Sequence, residues 1–333
     1  MAEVFTTAFI DRSHWGRIQV TGADRLRFLH NQSTNAFEQL AAGQGCDTVF
    51  VSSTARTLDL ASAYVGDESV LLMVSPGMAT ELINWMDRYI FFADKVTLSD
   101  QTDTTFAITL LGPDADRVLT QLGIPLPDPA AGSHLQTNLP FEPEIAITIV
   151  RGTGLTLSGY TLIGPKDQET ALKQWLVEHD VACLTSQQWE VLRIRQGRPM
   201  PGQELTDKDN PLEAGLWQAV SFEKGCYIGQ ETIARLNTYQ GVKKQLWGFK
   251  LEQLVPAPSP LTLNGTQVGA LTSVAADSDG IWGLGYLRTK AGGAGLTLTV
   301  ENTTAYAIEL PFVSRGYLDN NSDSPEPSTN ING

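Results

Sequence analysis

The chain has 333 residues, of which 42% are hydrophobic and 18% charged, and its formal net charge is −14 at pH 7. This length is typical of about two domains with a sizeable core, and the acidic balance argues against a general nucleic-acid or anionic-membrane partner. No apolar run is long enough to span a bilayer. The N-terminus lacks the features of a secretory signal, so we expect a cytoplasmic protein. Three cysteines without a CxxC pair disfavour a disulfide framework or a closed zinc site.

Strand and helix patterns alternate through the first 240 residues. Strands are predicted at residues 16–21, 47–51, 58–64, 69–74, 95–100, 106–111, 145–150 and 155–163. Helices are predicted from Asp24 to about Leu40 with a break in the polar run 31–35, over 82–90, after Asp114, over 168–179, and from the capping box Thr185–Gln188 to Gly197. Residues 124–144 hold five prolines and are interpreted as a loop. This order predicts an α+β fold with antiparallel or mixed sheets.

The pattern changes after residue 240. Short strands over 246–310 and a hairpin turn at Asn264–Gly265 predict a small β-barrel. The predicted organisation is an α+β region at 1–240, which could consist of two intertwined subdomains, a barrel at 241–316 and a tail at 317–333. The tail is too polar to bury a core and is expected to be disordered.

Cys226 lies two residues after Lys224, in the turn before the amphipathic run 231–239, with Gly225 and Gly229 freeing the backbone. A helix start and an ammonium group would both raise the thiolate fraction of this cysteine. The alternative is a small apolar residue that only packs in a tight turn. Cys46, placed in a glycine-rich loop, and Cys183, expected to be buried, lack this setting.

The segment from Lys224 to Glu231 reads K-G-C-Y-I-G-Q-E. It resembles the K-G-C-Y-x-G-Q-E signature of the YgfZ family of folate-binding proteins, which are relatives of the T-protein (aminomethyltransferase) of the glycine cleavage system. Three further pieces resemble the same superfamily: L-R-I at 192–194 with G-R-P at 197–199, P-L-E-A-G-L at 211–216, and Ser221-Phe222. The resemblance covers residues 1 to about 316.

The resemblance implies an aminomethyltransferase-like fold with a central ligand hole that binds tetrahydrofolate or a derivative. In that hole Asp100 would face the ring nitrogens, Tyr160 would form a wall and Arg193 would pair with a carboxylate. The full set of implied folate-binding residues is Gln32, Thr34, Asn35, Asp100, Tyr160, Arg193, Tyr227, Gln230 and Glu231. The implied catalytic residues are Cys226 and Lys224, and no resident metal is expected.

The chain also departs from the T-protein pattern. Asp100 and Asp103 precede Gly112-Pro113 at a different spacing, residues 155–158 lack the glutamate of the T-G-E element, and Arg195 stands where the arginine helix carries a glutamate. These departures favour a folate site without the machinery for aminomethyl transfer.

The implied function is assistance in assembling or repairing iron–sulfur clusters in specific enzymes, including enzymes of tRNA modification. Cys226 would act as a thiolate ligand, a redox group or a nucleophile. The partners would be client enzymes or assembly proteins, without direct nucleic-acid or membrane contact, and the protein would be a monomer. Two alternatives stay open: a folate-dependent one-carbon transferase, and a folate-binding module in which Cys226 only packs. Whether the protein is an enzyme is left open.

Overall fold

The computed structural model describes residues 7–141 and 145–321. The helices are α1 (Arg25–Gln32), α2 (Met78–Asp87), α3 (Ala115–Gln121), α4 (Glu169–Glu178), α5 (Ser186–Gln196) and α6 (Gln230–Thr238). The first strands are β1 (Ala8–Asp11), β2 (Gly16–Thr21), β3 (Gln44–Val51), β4 (Thr57–Val65), β5 (Ser69–Val74), β6 (Thr97–Asp100) and β7 (Thr105–Leu111). They are followed by β8 (His134–Leu139), β9 (Ile145–Arg151), β10 (Gly159–Pro165) and β11 (Ala182–Cys183). The last strands are β12 (Lys244–Leu251), β13 (Ser259–Leu263), β14 (Thr266–Asp277), β15 (Gly280–Arg288), β16 (Thr297–Val300) and β17 (Thr303–Ile308).

Two sheets form the region before the barrel. One has the order β3-β4-β5-β2-β6 and is antiparallel, and the other has the order β11-β1-β7-β10-β9-β8, in which only the β1–β11 pair is parallel. Helices α1 and α2 pack on the five-stranded sheet, and α3 and α4 pack on the six-stranded sheet. The opposite faces of the two sheets meet in a shared core that contains Ile10, Trp15, Tyr64 and Met73. Apolar faces on both sides of each sheet thus give the layered arrangement predicted for an α+β fold.

The C-terminal strands close into a six-stranded antiparallel barrel in the order β12-β15-β14-β13-β16-β17. The barrel interior is filled by side chains such as Phe249, Leu271 and Leu287. Asn264 and Gly265 both have positive φ, 50° and 79°, as a tight hairpin turn of this kind requires. The predicted barrel and its hairpin are therefore confirmed.

Helix α5 joins the barrel to the rest of the chain. Both hydrogen bonds of the capping box between Thr185 and Gln188 are present, and Gly197 ends the helix in the left-handed region at φ 90°. Val191 and Ile194 of this helix pack against barrel residues. The predicted start and end of α5 are confirmed, and no described helix is both long and apolar enough to cross a membrane.

Several predictions of local structure were wrong. The region 124–144 contains β8, which pairs with β9, so it is not entirely a loop. Strand β10 begins at Gly159 rather than at residue 155, because Thr153 turns the preceding chain by hydrogen bonds to Leu155 and Leu157. Asp24 and Asp114 stand at helix starts, but neither side chain makes a capping hydrogen bond. Helix α1 ends at Gln32, and the predicted break is confirmed by Ser33, whose hydroxyl donates to the carbonyl of Leu29.

The expectations for the tail and for two cysteines also need correction. Residues 316–321 form a 3-10 helix, and the ring of Tyr317 meets that of Trp217 edge-on at 5.3 Å, so disorder from residue 317 was a wrong prediction there. The remaining tail lies outside the described residues. Cys183 is exposed rather than buried. Cys46 lies in β3 rather than in a loop, and burial raises the pKa of its thiol to about 12.

Candidate functional site

A cavity of about 730 Å³ opens between the two sheets and the segment that leads to Cys226. Its volume is within the range of small-molecule sites in proteins. The five-stranded sheet contributes Asp47 and Leu60, the six-stranded sheet contributes the segment 151–159, and residues 215–219 and Phe312 complete the wall. The lining combines apolar side chains with polar ones, and the apolar ones include Leu60, Leu155, Leu157, Leu216, Phe312, Pro113, Pro129 and Ala219.

Three charged residues line this cavity: Asp47, Asp116 and Arg151. Asp47 accepts a hydrogen bond from the Ser62 hydroxyl at 2.6 Å on one oxygen, and its second oxygen has no partner among the described residues. Arg151 donates from Nε and Nη2 to two main-chain carbonyls at 2.8 and 3.1 Å, and its guanidinium carbon lies 4.9 Å from the centre of the Tyr160 ring. The cavity thus offers two carboxylates and a cation beside its apolar side chains.

Two buried arginines, Arg12 and Arg198, lie behind the wall and are only 2% and 1% exposed. They donate to the carbonyls of Thr153, Gly154 and Leu60, and both guanidinium groups stack against Trp15, at 3.7 and 5.2 Å from its ring centre. No described carboxylate lies within ion-pair distance of either arginine. Burial lowers the pKa of Arg12 to about 9 and lowers that of Arg198. The negative charges of Asp47 and of the buried Asp59 oppose this effect on Arg198, so the two cations are partly compensated by carboxylates.

The predicted polar element at the end of α1 supports the cavity from behind. The Thr34 hydroxyl donates to the carbonyl of Ala219 at 2.6 Å, and Asn35 Nδ2 donates to the carbonyl of Asp47 at 2.8 Å. Both acceptor residues line the cavity, so Thr34 and Asn35 hold two parts of its wall. Gln32 is buried, and its Oε1 has no hydrogen-bond partner in the described part of the chain.

None of the nine residues predicted to bind the ligand lines the cavity. Asp100 is exposed and accepts a hydrogen bond from the Thr102 N–H at 2.9 Å within its own turn. Tyr160 is fully buried behind Asp116, to which its hydroxyl donates at 2.6 Å. Asp100 thus stabilises its own turn, and Tyr160 supports Asp116, which lines the cavity; a ligand contact by either residue stays a prediction.

Arg193, predicted to pair with a ligand carboxylate, also lies outside the cavity lining. Its guanidinium group is 1% exposed and is bound by Glu190, by Glu204 at 3.0 Å and by the carbonyl of Arg198 at 2.8 Å. These partners occupy the guanidinium group, so it is not free to bind a ligand carboxylate. The charged residues that line the cavity are instead Asp47, Asp116 and Arg151. The sequence contains no recognisable motif around Asp47, Arg151 or Arg12, so no signal identified them as residues of the site.

The loop of Cys226, defined here as residues 221–229, is bound along its length to the end of α1. Lys224 Nζ donates to the carbonyls of His30, Ser33 and Asn35, the last two at 2.8 and 2.6 Å. Main-chain bonds from Ser221 to Thr34 at 2.9 Å and from Ile228 to Asn31 at 3.1 Å add to this attachment.

These bonds change the role of Lys224. The sequence predicted that its charge acts on the Cys226 thiol, whereas the ammonium group binds the carbonyls at the negative end of α1. Burial lowers the pKa of Lys224 to about 7. The hydrogen bonds to the three carbonyls favour the charged form and oppose this effect. Cys226 itself is exposed. Lys224 therefore supports the thiol by anchoring its loop.

The other predicted residues of the signature surround the same loop. Tyr227 is buried with its ring 4.7 Å from Lys224 Nζ, Gln230 donates to the carbonyl of Gly225 at 3.4 Å, and Glu231 is exposed in the first turn of α6. None of the three lines the 730 Å³ cavity. The described residues contain no group of three or more His, Cys, Asp or Glu side chains that could hold a metal ion.

Two sheets, a C-terminal barrel and a central cavity define a protein with the aminomethyltransferase fold. The solved structure of the glycine cleavage system aminomethyltransferase T from Bartonella henselae superposes with a TM-score of 0.81, over 93% of this chain and 87% of that chain, at 21% identity. The predicted fold class is confirmed by this likeness.

Sequence comparisons identify the family to which the chain belongs. Residues 4–224 match the model of the GCVT N-terminal domain. A relative from Arabidopsis thaliana, named "Putative transferase At1g60990, chloroplastic", is 41% identical over 92% of this chain and 71% of its own length. The aminomethyltransferase of Halothermothrix orenii is 27% identical over 91% of this chain and 87% of its own length. The chain belongs to the family of proteins with a GCVT N-terminal domain.

Proposed function

We propose that this protein binds a tetrahydrofolate-class ligand in the 730 Å³ cavity and uses the Cys226 thiol to assist iron–sulfur cluster assembly or repair in client enzymes. The carrying observation is the cavity itself, with apolar walls, a carboxylate with one free oxygen and a cation. The aminomethyltransferases among the relatives share this fold, which supports a folate-type ligand by family.

The polar groups of the cavity suit the two ends of such a ligand. The free oxygen of Asp47 can accept hydrogen bonds from the N–H groups of a pterin edge. The guanidinium group of Arg151, in the cavity wall, suits the carboxylates of a glutamate tail. The leucines and Phe312 supply the flat apolar contacts that an aromatic ring system needs.

The exposed thiol on an anchored loop supports the second half of the proposal. Thiolate sulfur is a good ligand for iron and a redox-active group, so Cys226 can contact iron or sulfur that a partner presents. The loop is fixed by three carbonyl bonds of Lys224, which keeps the thiol at a defined position on the surface.

The experiment for this role is genetic rescue. In a strain that lacks the protein, the Cys226→Ser variant should fold and bind folate like the parent but fail to restore iron–sulfur enzyme activity. Cys183→Ser is the matched control, because Cys183 is also exposed, and it should rescue fully. Full rescue by Cys226→Ser would instead favour a binding module in which the thiol only packs.

Folate-dependent one-carbon transfer is the second candidate, and the aminomethyltransferase fold favours it. Against it, the cavity segment at residues 155–158 carries no carboxylate where T-proteins have a glutamate. We expect the purified protein to transfer no aminomethyl group from a lipoyl carrier to tetrahydrofolate. Turnover that is lost in Asp47→Asn would establish the transferase instead.

A further inference from the structure

The cavity wall contains a short segment between two fixed ends, residues 153–157, named the strap here. The N–H of Gly152 donates to the carbonyl of Gly159 at 2.9 Å, and the N–H of Gly112 donates to the carbonyl of Ser158 at 3.0 Å. Both ends of the strap are therefore held by main-chain bonds. The strap residues that line the cavity are Leu155, Thr156 and Leu157. Compact loops whose ends lie close together are frequently functional.

The strap holds its own shape. The buried Thr153 hydroxyl donates to the carbonyl of Leu157 at 2.9 Å and accepts a hydrogen bond from the N–H of Leu155 at 3.2 Å. Leu155 is 9% exposed and also packs in the shared core of the two sheets. Gly152, just before the strap, has φ 141°, and a Cβ atom there would meet nothing within 4 Å, so the chain has room to turn. The strap is thus a folded unit that can move as a whole.

Side chains make the hydrogen bonds between the strap and the rest of the described chain. No main-chain hydrogen bond joins residues 153–157 to another described segment. Arg12 Nη1 and Arg198 Nη1 donate to the carbonyls of the first two strap residues, at 2.9 and 3.0 Å. The Thr156 hydroxyl donates to Gln196 Oε1. Both arginines are buried, whereas Thr156 is exposed and Gln196 half-buried, so the Thr156–Gln196 bond is the attachment nearest to solvent.

Gln196 also binds a second part of the cavity wall. It is the last residue of α5, and its main-chain carbonyl accepts a hydrogen bond from the N–H of Phe312 at 2.8 Å. Phe312 and Thr156 both line the cavity, while Gln196 itself does not. One residue outside the lining therefore joins two separate parts of the wall.

We infer that the strap opens to let a ligand into and out of the cavity and that the Thr156–Gln196 hydrogen bond is the latch that keeps it closed. The latch involves no ligand atom, so it stabilises the closed strap in the free and in the bound protein alike. Its removal should raise the association and dissociation rate constants together and leave their ratio, the dissociation constant, unchanged. Thr156 and Gln196 are therefore positioning residues. The inference deepens the proposed function, on which it rests for the presence of a ligand in this cavity.

Stopped-flow kinetics of tetrahydrofolate binding to the full chain test the latch. Gln196→Leu removes the acceptor, and Gln196→Glu, the matched control, keeps an acceptor oxygen. In Gln196→Leu both rate constants should rise about fivefold, as the loss of one typical hydrogen bond predicts, with the dissociation constant within about twofold of the parent value. In Gln196→Glu each rate constant should stay within about twofold of the parent value. Thr156→Val added to Gln196→Leu should cause no further rise, because the two side chains share one bond.

Three outcomes would overturn the inference. Unchanged rate constants in a folded Gln196→Leu protein would show that the bond does not limit ligand exchange. Faster dissociation with unchanged association would show a role in affinity instead. Equal increases in the Leu and Glu variants would assign the effect to packing rather than to the acceptor oxygen.

Thermolysin digestion of the native protein measures strap opening without a ligand. Leu155 is 9% exposed, so cleavage before it requires the strap to open, and its rate follows the population of the open form. This cleavage should be about fivefold faster in Gln196→Leu than in the parent and in Gln196→Glu. Cleavage before Leu254, which is 67% exposed, is the internal control and should not change.

The two experiments separate this inference from the proposed function. If tetrahydrofolate does not bind the parent protein, the proposed function fails, and the cleavage rates alone decide the role of the strap. Equal rates of cleavage before Leu155 in the parent, Gln196→Leu and Gln196→Glu proteins would overturn the inference.

Discussion

Lys224 shows how a residue can be recognised from the sequence while its role is not. The signature predicted a lysine that acts on the thiol. In the structure its ammonium group donates hydrogen bonds to three main-chain carbonyls at the end of α1. That segment is about 190 residues away along the chain, so no local pattern could indicate it.

Removal of this ammonium group should destabilise the protein. In Lys224→Met, three partly buried carbonyls lose their donor, and we expect the free energy of unfolding to fall by about 1–3 kcal/mol. Urea denaturation at pH 7 measures this loss, with exposed Lys95→Met as the control. Equal denaturation midpoints for Lys224→Met and the parent would contradict the anchoring role.

The lowered pKa of His30 predicts that the free energy of unfolding depends on pH. Because the folded state lowers the pKa of His30 below its usual 6.5, the unfolded chain binds the proton first as the pH falls. The free energy of unfolding should therefore decrease from pH 7 to pH 5, and His30→Gln should reduce this slope. Urea denaturation at pH 5, 6 and 7 gives the slopes, and identical slopes for both proteins would rule out the assigned direction.

The ligand-contact residues illustrate the limit of motif reasoning. Arg193 was predicted to bind a ligand carboxylate. It instead forms an ion pair with Glu190, which lies three residues earlier on the same helix. That spacing was visible in the sequence. Asp47 and Arg151 were not predictable, because they meet only where strands of two different sheets face one cavity.

Among the structural elements, those with local signals were predicted best. The capping box of α5, the break after α1 and the barrel hairpin each have a defined residue chemistry, and each is confirmed. Strand β8 was missed because prolines dominate its surroundings and its pairing with β9 is a tertiary contact.

The two glycines of the signature should respond differently to substitution. Gly229 has φ 82° and forms the N-terminal cap of α6, and a Cβ there would lie 2.8 Å from the carbonyl oxygen of Ser52. Gly229→Ala should therefore cost about 1–3 kcal/mol of stability. A Cβ at Gly225 meets only His30 at an ordinary distance, so Gly225→Ala is the matched control and should cost little. Thermal unfolding of both variants measures the difference. Equal losses of stability in Gly229→Ala and Gly225→Ala would contradict the claim that only Gly229 needs a glycine.

At the scale of the whole molecule, the 730 Å³ cavity and the loop of Cys226 are both held by the segment that follows α1. Thr34 holds Ala219 in the cavity wall, Asn35 holds Asp47, and Lys224 binds the carbonyl of Asn35. The family resemblance predicted the fold, but the residues that line the cavity depend on the meeting of three separate segments.

The central claim is that a tetrahydrofolate-class ligand binds in this cavity against Asp47. Calorimetric titration of tetrahydrofolate tests it most directly, with Asp47→Asn as the cavity variant and Asp100→Asn, an exposed carboxylate bound within its own turn, as the matched control. We predict one site per chain, a loss of affinity of about tenfold or more in Asp47→Asn because a charge-assisted hydrogen bond is removed, and no change in Asp100→Asn. The absence of binding heat in the parent protein, or a loss in Asp100→Asn with Asp47→Asn unaffected, would contradict the claim.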